Sequence, residues 1–194
     1  MTRAAVGFTV KSGWACAVLI AGAPASPVLV ESRRVELSDP ANADARQPYH
    51  AGFGTARGAG RTLSTLVASV KRFGRSSVGG LLRDYQASHS VRGAGVVVGS
   101  LIDPATIAND HIRIHALEGQ LFRGVVQDAA RRRGVPCALW RERDLLADAV
   151  KALKRPEKEL RDIVAAMGRE VDGPWRAEQK AAALAAWLVL AGEA

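Results

Sequence analysis

Apolar positions open the chain in two closely spaced runs. Residues 4–10 (AAVGFTV) and 14–21 (WACAVLIA) alternate or run apolar with β-branched members, and Lys11-Ser12-Gly13 lies between them. This pattern predicts two hairpin strands. Gly22 to Pro27 is a turn cluster, and Val28 to Leu37 reads as a third strand. Ser38 to Gly60 has no period and is rich in Pro, Gly, Asn and Asp, which predicts a long loop. From Thr62 to Phe73, Leu63, Leu66, Val67 and Val70 recur at helical spacing. Gly74 to Gly80 reads as an interruption, with a further helical piece over Leu81 to Ala87. Ala94 to Leu101 (AGVVVGSL) is a near-continuous apolar run, as in a strand covered on both faces. Asp110 to Arg133 reads as a long helix, with an apolar stripe through Ile114, Leu117, Leu121, Val125 and Val126 and a stop at Gly134. Val135 to Trp140 is a short strand, and Leu145 to Leu153, Glu157 to Met167 and Ala177 to Ala191 are helical.

Three meandering strands followed by alternating helix and strand predict an α/β domain. Its mixed five-stranded sheet would have helices on both faces. We read residues 1–194 as one such domain, with 38–60 as its long loop.

Composition narrows the function classes. Apolar residues make up 48% of the chain, which gives it a core and argues against disorder. A formal net charge of +8 and a pI near 10.2 favour polyanionic partners, chiefly nucleic acid. Cys16 and Cys137 stand in separate apolar runs without CxxC spacing, so they read as small buried hydrophobes in a reducing compartment. Lys11 breaks the only early apolar stretch that resembles a leader. The expectation is a cytoplasmic protein with no membrane association.

Three stretches carry a family resemblance. Gly7-Phe8-Thr9 followed by Gly13-Trp14-Ala15, GVVVGS at 95–100, and EQKAAALAAWLVLAG at 178–192 resemble the opening, central strand and last helix of the RuvC-like resolvase branch of the ribonuclease H-like superfamily. The resemblance implies a ribonuclease H-like fold and two-metal phosphodiester hydrolysis. In that chemistry, carboxylates converge on Mg2+ or Mn2+ ions about 3.5–4 Å apart. It also implies where those acids would stand. Thr9 takes the place of the first aspartate, Gly99 or Ser100 that of the central glutamate, and Gln179 and Ala182 those of the last-helix aspartates. A hydroxyl or amide carries no charge to hold a divalent ion. The alternative is a rewired acidic site using Asp103, Glu118 and Glu178, although Glu178 is one step out of register and a step turns a helical side chain by about 100°.

Outside that pattern, GFGTARGAGR at 52–61 is glycine-rich and basic, so its amides with Arg57 and Arg61 could cradle phosphate. It lacks the GK[ST] ending of a nucleotide loop, and a plain loop competes with this reading. Tyr49 just before it could stack on a base or pin the loop to the core. Arg141 and Arg143 follow the last strand, whose end borders the family's nucleic-acid face, which makes them the better phosphate candidates. His111 and His115 share a helix face at i,i+4, but no HExxH motif or third ligand is evident, and no metal site is assigned.

The sequence therefore favours a catalytically degenerate RuvC-like protein that binds nucleic acid through basic loops and needs no cofactor. The alternatives are an active divalent-metal nuclease and a non-catalytic protein-interaction scaffold. The length of the Asp110–Arg133 helix also admits a homodimer.

Overall fold

The computed structural model describes residues 1–51, 59–169 and 171–192, with backbone only at 59–61. The strands are β1 (Thr2–Lys11), β2 (Trp14–Ala23), β3 (Ser26–Glu36), β4 (His89–Val98) and β5 (Cys137–Arg141). The helices are α1 (Pro48–Ala51), α2 (Ala59–Ser88), α3 (Asp110–Arg132), α4 (Leu145–Leu153), α5 (Glu157–Met167) and α6 (Ala177–Ala191). Short 3-10 turns cover Ala43–Arg46 and Pro104–Thr106.

The sheet order is β3-β2-β1-β4-β5. β1 and β2, and β2 and β3, pair antiparallel, while β4 runs parallel to both β1 and β5. This is the expected mixed five-stranded α/β arrangement. Gly13 turns the first hairpin at φ +82°, a conformation that favours glycine. The strand alternation sorts side chains onto two layers. Val6, Phe8, Val10, Val96 and Val98 join Val70, Val78, Leu82, Leu121, Phe122 and Val126 beneath α2 and α3. Ala5, Cys16, Val18, Ile20 and Val97 face the alanine-rich side of α6, with α4 and α5 outside it.

Helix α6 lies almost on the sheet. A methyl group at Gly7 would stand 1.8 Å from the Ala182 carbonyl oxygen, and one at Gly95 would stand 2.7 Å from that of Ala185. Gly7 and Gly95 are register partners on β1 and β4, so two adjacent glycines open the trough in which α6 sits.

Two expectations change. Helix α2 runs unbroken over Ala59–Ser88, where an interruption at Gly74–Gly80 was expected. The reason is close approach: a methyl at Gly74 would meet Val125 Cγ1 at 2.5 Å and the Leu37 carbonyl oxygen at 2.8 Å, so this glycine seats α2 against α3. The loop expected over 38–60 contains the Ala43–Arg46 turn and α1, each with a buried residue, Ala45 and Pro48. Among the described residues, no helix is long and apolar enough to cross a membrane.

Candidate functional site at the carboxyl edge of the sheet

The parallel strands β1, β4 and β5 end together, and Thr9, Gly99, Ser100, Arg141 and Arg143 fall around that edge. Thr9 stands opposite Cys16 on β2 and Val97 on β4. It is 1% exposed, and its Oγ1 donates to the Glu178 main-chain oxygen at 2.9 Å. Thr9 thus fastens the first turn of α6 to the sheet. Continuing the alternation from Gly95 and Val97, Gly99 is the next position on this face, just past the strand end and exposed. Gln179 Oε1 accepts from the Arg176 N–H at 2.9 Å, which closes the helix start, and Ala182 is buried over Gly7. Burial pushes the nearby Cys16 thiol up to about 11, so it stays protonated at neutral pH.

The three candidate acids lie on separate elements. Asp103 is exposed and accepts from the Ala105 N–H at 3.0 Å, capping the Pro104–Thr106 turn. Glu178 is half-buried in the first turn of α6. Glu118 is buried on α3, where its Oε1 accepts from the N–H groups of Tyr49 at 2.8 Å and His50 at 3.3 Å. Burial raises the Glu118 pKa above the ordinary glutamate value, while the hydrogen bonds from Tyr49 and His50 oppose that shift. Glu118 Oε2 is also buried and has no hydrogen-bond partner among the described residues.

Thr9 is hydrogen-bonded to a carbonyl, and the other positions where the resemblance implies acids hold Gly99 or Ser100, Gln179 and Ala182, none of which carries a charge. Acids near this edge include Glu178, Glu142, which pairs with Lys11, and Asp144, which pairs with Arg141 and Arg143. Among the described residues, only His50, His111 and His115 bring three metal-ligating side chains within 4.8 Å of one another. His50 escaped the sequence reading because its partners are distant in the chain; the i,i+4 spacing of His111 and His115 was the available signal. Burial, then the His50 and His111 imidazoles, hold His115 below the usual histidine value.

Tyr49 is half-buried and packs against the α2/α3 core, and burial raises its phenol pKa. It lines a cavity of about 430 Å³ with Lys71, Arg75, Gln120 and Asp128. Arg57 lies outside the described residues, as does the side chain of Arg61. Arg141 and Arg143 are exposed and line a cleft of about 200 Å³ with Gly99, Ser100 and Ile102. Both arginines pair with Asp144, Arg143 at 3.6 Å. A second cleft of about 350 Å³ also includes Gly99, Ser100 and Ile102, and is lined by Lys11, Ser12 and His115 as well. Lys11, expected to lie between the first two strands and to interrupt a leader-like run but given no binding role, lies 3.7 Å from Glu142. The structure therefore brings Arg141, Arg143 and Lys11 to the carboxyl edge and leaves Tyr49 beneath α2 and α3.

No protein-family model matches the sequence, and no curated protein sequence matches it. Solved structures do. A Thermus thermophilus RuvC structure matches with a TM-score of 0.55 at 14% identity, covering 95% of this chain and 92% of that one. T. thermophilus RuvC in complex with Holliday junction substrate matches with a TM-score of 0.57 at 14% identity, covering 95% and 91%. Strand order, mixed pairing and near-complete coverage agree: the chain has the ribonuclease H-like fold in its RuvC form.

Proposed function

We propose that this protein is a catalytically degenerate RuvC-like protein that binds nucleic acid at the carboxyl edge of its sheet. The observation that carries the reading is Thr9. At the position where the resemblance implies the first catalytic aspartate, a buried hydroxyl donates to the Glu178 carbonyl at 2.9 Å. A carboxylate has no proton to donate there at neutral pH, so the residue serves helix placement rather than metal binding. Binding would come from the basic side. Arg141, Arg143 and Lys11 border the two adjoining clefts, Arg57 and Arg61 add charge in sequence, and the whole chain carries +8. Each arginine at the cleft shares a single acid, Asp144, on a solvent-exposed surface where such pairs are weak and give way to phosphate. The structurally similar T. thermophilus RuvC has been solved with a Holliday junction substrate, which makes branched DNA the first ligand to test. The reading is of a cytoplasmic protein whose ligand is DNA or RNA.

Fluorescence anisotropy with a four-way junction, duplex, single strand and RNA tests it. The expected result is submicromolar binding that weakens steeply with salt, with no cleavage in Mg2+ or Mn2+. Cleavage abolished by Asp103→Asn or Glu178→Gln would instead establish the nuclease alternative. Absence of binding at low salt would leave the scaffold reading.

A further inference from the structure

Three of the four histidines in the chain meet at one place. Asn109 caps α3 by accepting from the Ile112 N–H at 3.0 Å, which fixes the helix start just ahead of His111. His111 and His115 then stand one turn apart on the same face, with their Nε2 atoms 3.1 Å apart. His50 arrives from α1. Its ring centroid is 4.6 Å from that of His115 and 6.0 Å from that of His111. The rings are inclined to one another by 61° to 87°, so they meet in T-shaped contacts rather than stacks. Nitrogens bound to one tetrahedral ion at about 2.0–2.1 Å are about 3.3 Å apart. The His111–His115 spacing is already close to that value, and all three ligand atoms lie within 4.8 Å.

An independent observation supports a cation here. His50 Nδ1 lies 3.4 Å from Glu118 Oε1, so the opposite nitrogen, Nε2, is left for a ligand role. A carboxylate behind a histidine is the usual outer partner of a ligating imidazole, since it fixes the tautomer and raises the ligand's basicity. Glu118 has a side chain only 2% exposed, and the same oxygen also receives the Tyr49 and His50 N–H groups. A buried carboxylate with one unpartnered oxygen gains from positive charge just beyond the imidazole. A purely structural account explains the His50–Glu118 contact. It also explains the His111–His115 pair as a ring-to-ring hydrogen bond at 3.1 Å; what remains is that a third imidazole nitrogen, from another element, lies within 4.8 Å of both.

We propose that His50, His111 and His115 bind one divalent ion of the zinc class, with Glu118 orienting His50 and water as the fourth ligand. Three imidazole nitrogens suit Zn2+, Co2+, Ni2+ or Cu2+, whereas Mg2+ and Ca2+ prefer oxygen. This site differs in ligands and location from a carboxylate pair at the Thr9 face. His115 also lines the cleft with Lys11, Ser12 and Ser100, so the ion sits at the rim of the groove and ties α1 to α3. The inference stands apart from the nucleic-acid reading and is tested without nucleic acid.

The test uses the full chain stripped with chelator, titrated with Zn2+ by calorimetry and with Co2+ by visible absorption. One equivalent of Zn2+ is expected, with the intense visible bands of a four- or five-coordinate Co2+ site and no competition from Mg2+. His111→Ala and His115→Ala, both exposed and so compatible with folding, weaken Zn2+ by about 100-fold or more with unchanged circular dichroism. Glu118→Gln weakens it by about 10–100-fold. Cys16→Ala and Cys137→Ala leave it unchanged. Absence of stoichiometric uptake by the wild type overturns the proposal, and so does uptake that survives the His111→Ala/His115→Ala double substitution.

Discussion

Thr9 and Glu178 are 169 positions apart, yet their single hydrogen bond decides how α6 begins. Thr9→Val keeps the shape, removes the donor and leaves the carbonyl short of a partner. It should lower stability by about 1 kcal/mol in urea unfolding. Thr9→Asp should do worse, by about 2–4 kcal/mol at pH 7, because it buries a carboxylate against a carbonyl oxygen. The introduced acid has a raised folded-state pKa, so its penalty should shrink as pH falls, when the protonated form can donate to Glu178. A penalty that does not change with pH would refute this account. At this scale the sequence announced that the residue was a hydroxyl and not an acid. It could not announce the partner, because the bond exists only once α6 crosses β1. The same limit hid His50. Its neighbours in the chain, Tyr49 and Ala51, say nothing of a helix that begins at Asp110.

At the scale of elements, glycine was the hardest residue to read. Gly74, Gly79 and Gly80 looked alike as helix breakers in sequence, and the structure separates them. Among the described residues, a methyl at Gly79 meets nothing within 4 Å, and one at Gly80 meets only the far end of Arg83 at 3.8 Å. Gly79→Ala and Gly80→Ala should each stabilise α2 by up to about 1 kcal/mol through helix propensity. Gly74→Ala gains the same propensity but must displace Val125 and the Leu37 carbonyl, for a net loss of about 1–3 kcal/mol. Thermal unfolding of the three variants separates a seated glycine from two idle ones. The strands were legible because Val, Ile and Phe alternate across two covered faces. Helix α3 was legible because its stripe and its Gly134 stop agree.

The α2–α3 contact also carries a pH signature. Asp128 accepts from Arg75 of α2 at 2.8 Å and from Arg131 and Arg132 of its own helix at 2.7 and 3.1 Å. Hydrogen bonds, that of Arg131 foremost, depress its pKa to about 2. A depressed folded-state pKa contributes stability that is complete above the ordinary aspartate value near 4 and disappears as pH falls through about 2. Asp128→Asn should therefore lower stability at pH 7 by about 1 kcal/mol or less for so exposed a set of arginines, and by clearly less at pH 2, where most of the charge contribution is already lost. An equal effect at both pH values would show that packing rather than charge is at work.

For the whole molecule, two electrostatic contributions to the proposed nucleic-acid binding can be told apart. A net charge of +8 attracts any polyanion from a distance and is screened by salt over about 8–10 Å. Direct phosphate contacts release counterions, and each adds about 0.9 to the slope of log affinity against log salt on duplex DNA. Arg141 and Arg143 sit at the cleft beyond β4 and β5, whereas Lys158 and Arg161 pair with Asp162 and Glu157 on the surface of α5. Replacing either pair by alanine removes the same two charges. If phosphate is held at the carboxyl edge, Arg141→Ala/Arg143→Ala should make the slope shallower by about 2. Lys158→Ala/Arg161→Ala should leave the slope nearly unchanged and lower affinity only slightly. Equal effects from the two double variants would mean that the molecule binds through its overall field, and the carboxyl edge would lose its claim to be the interface.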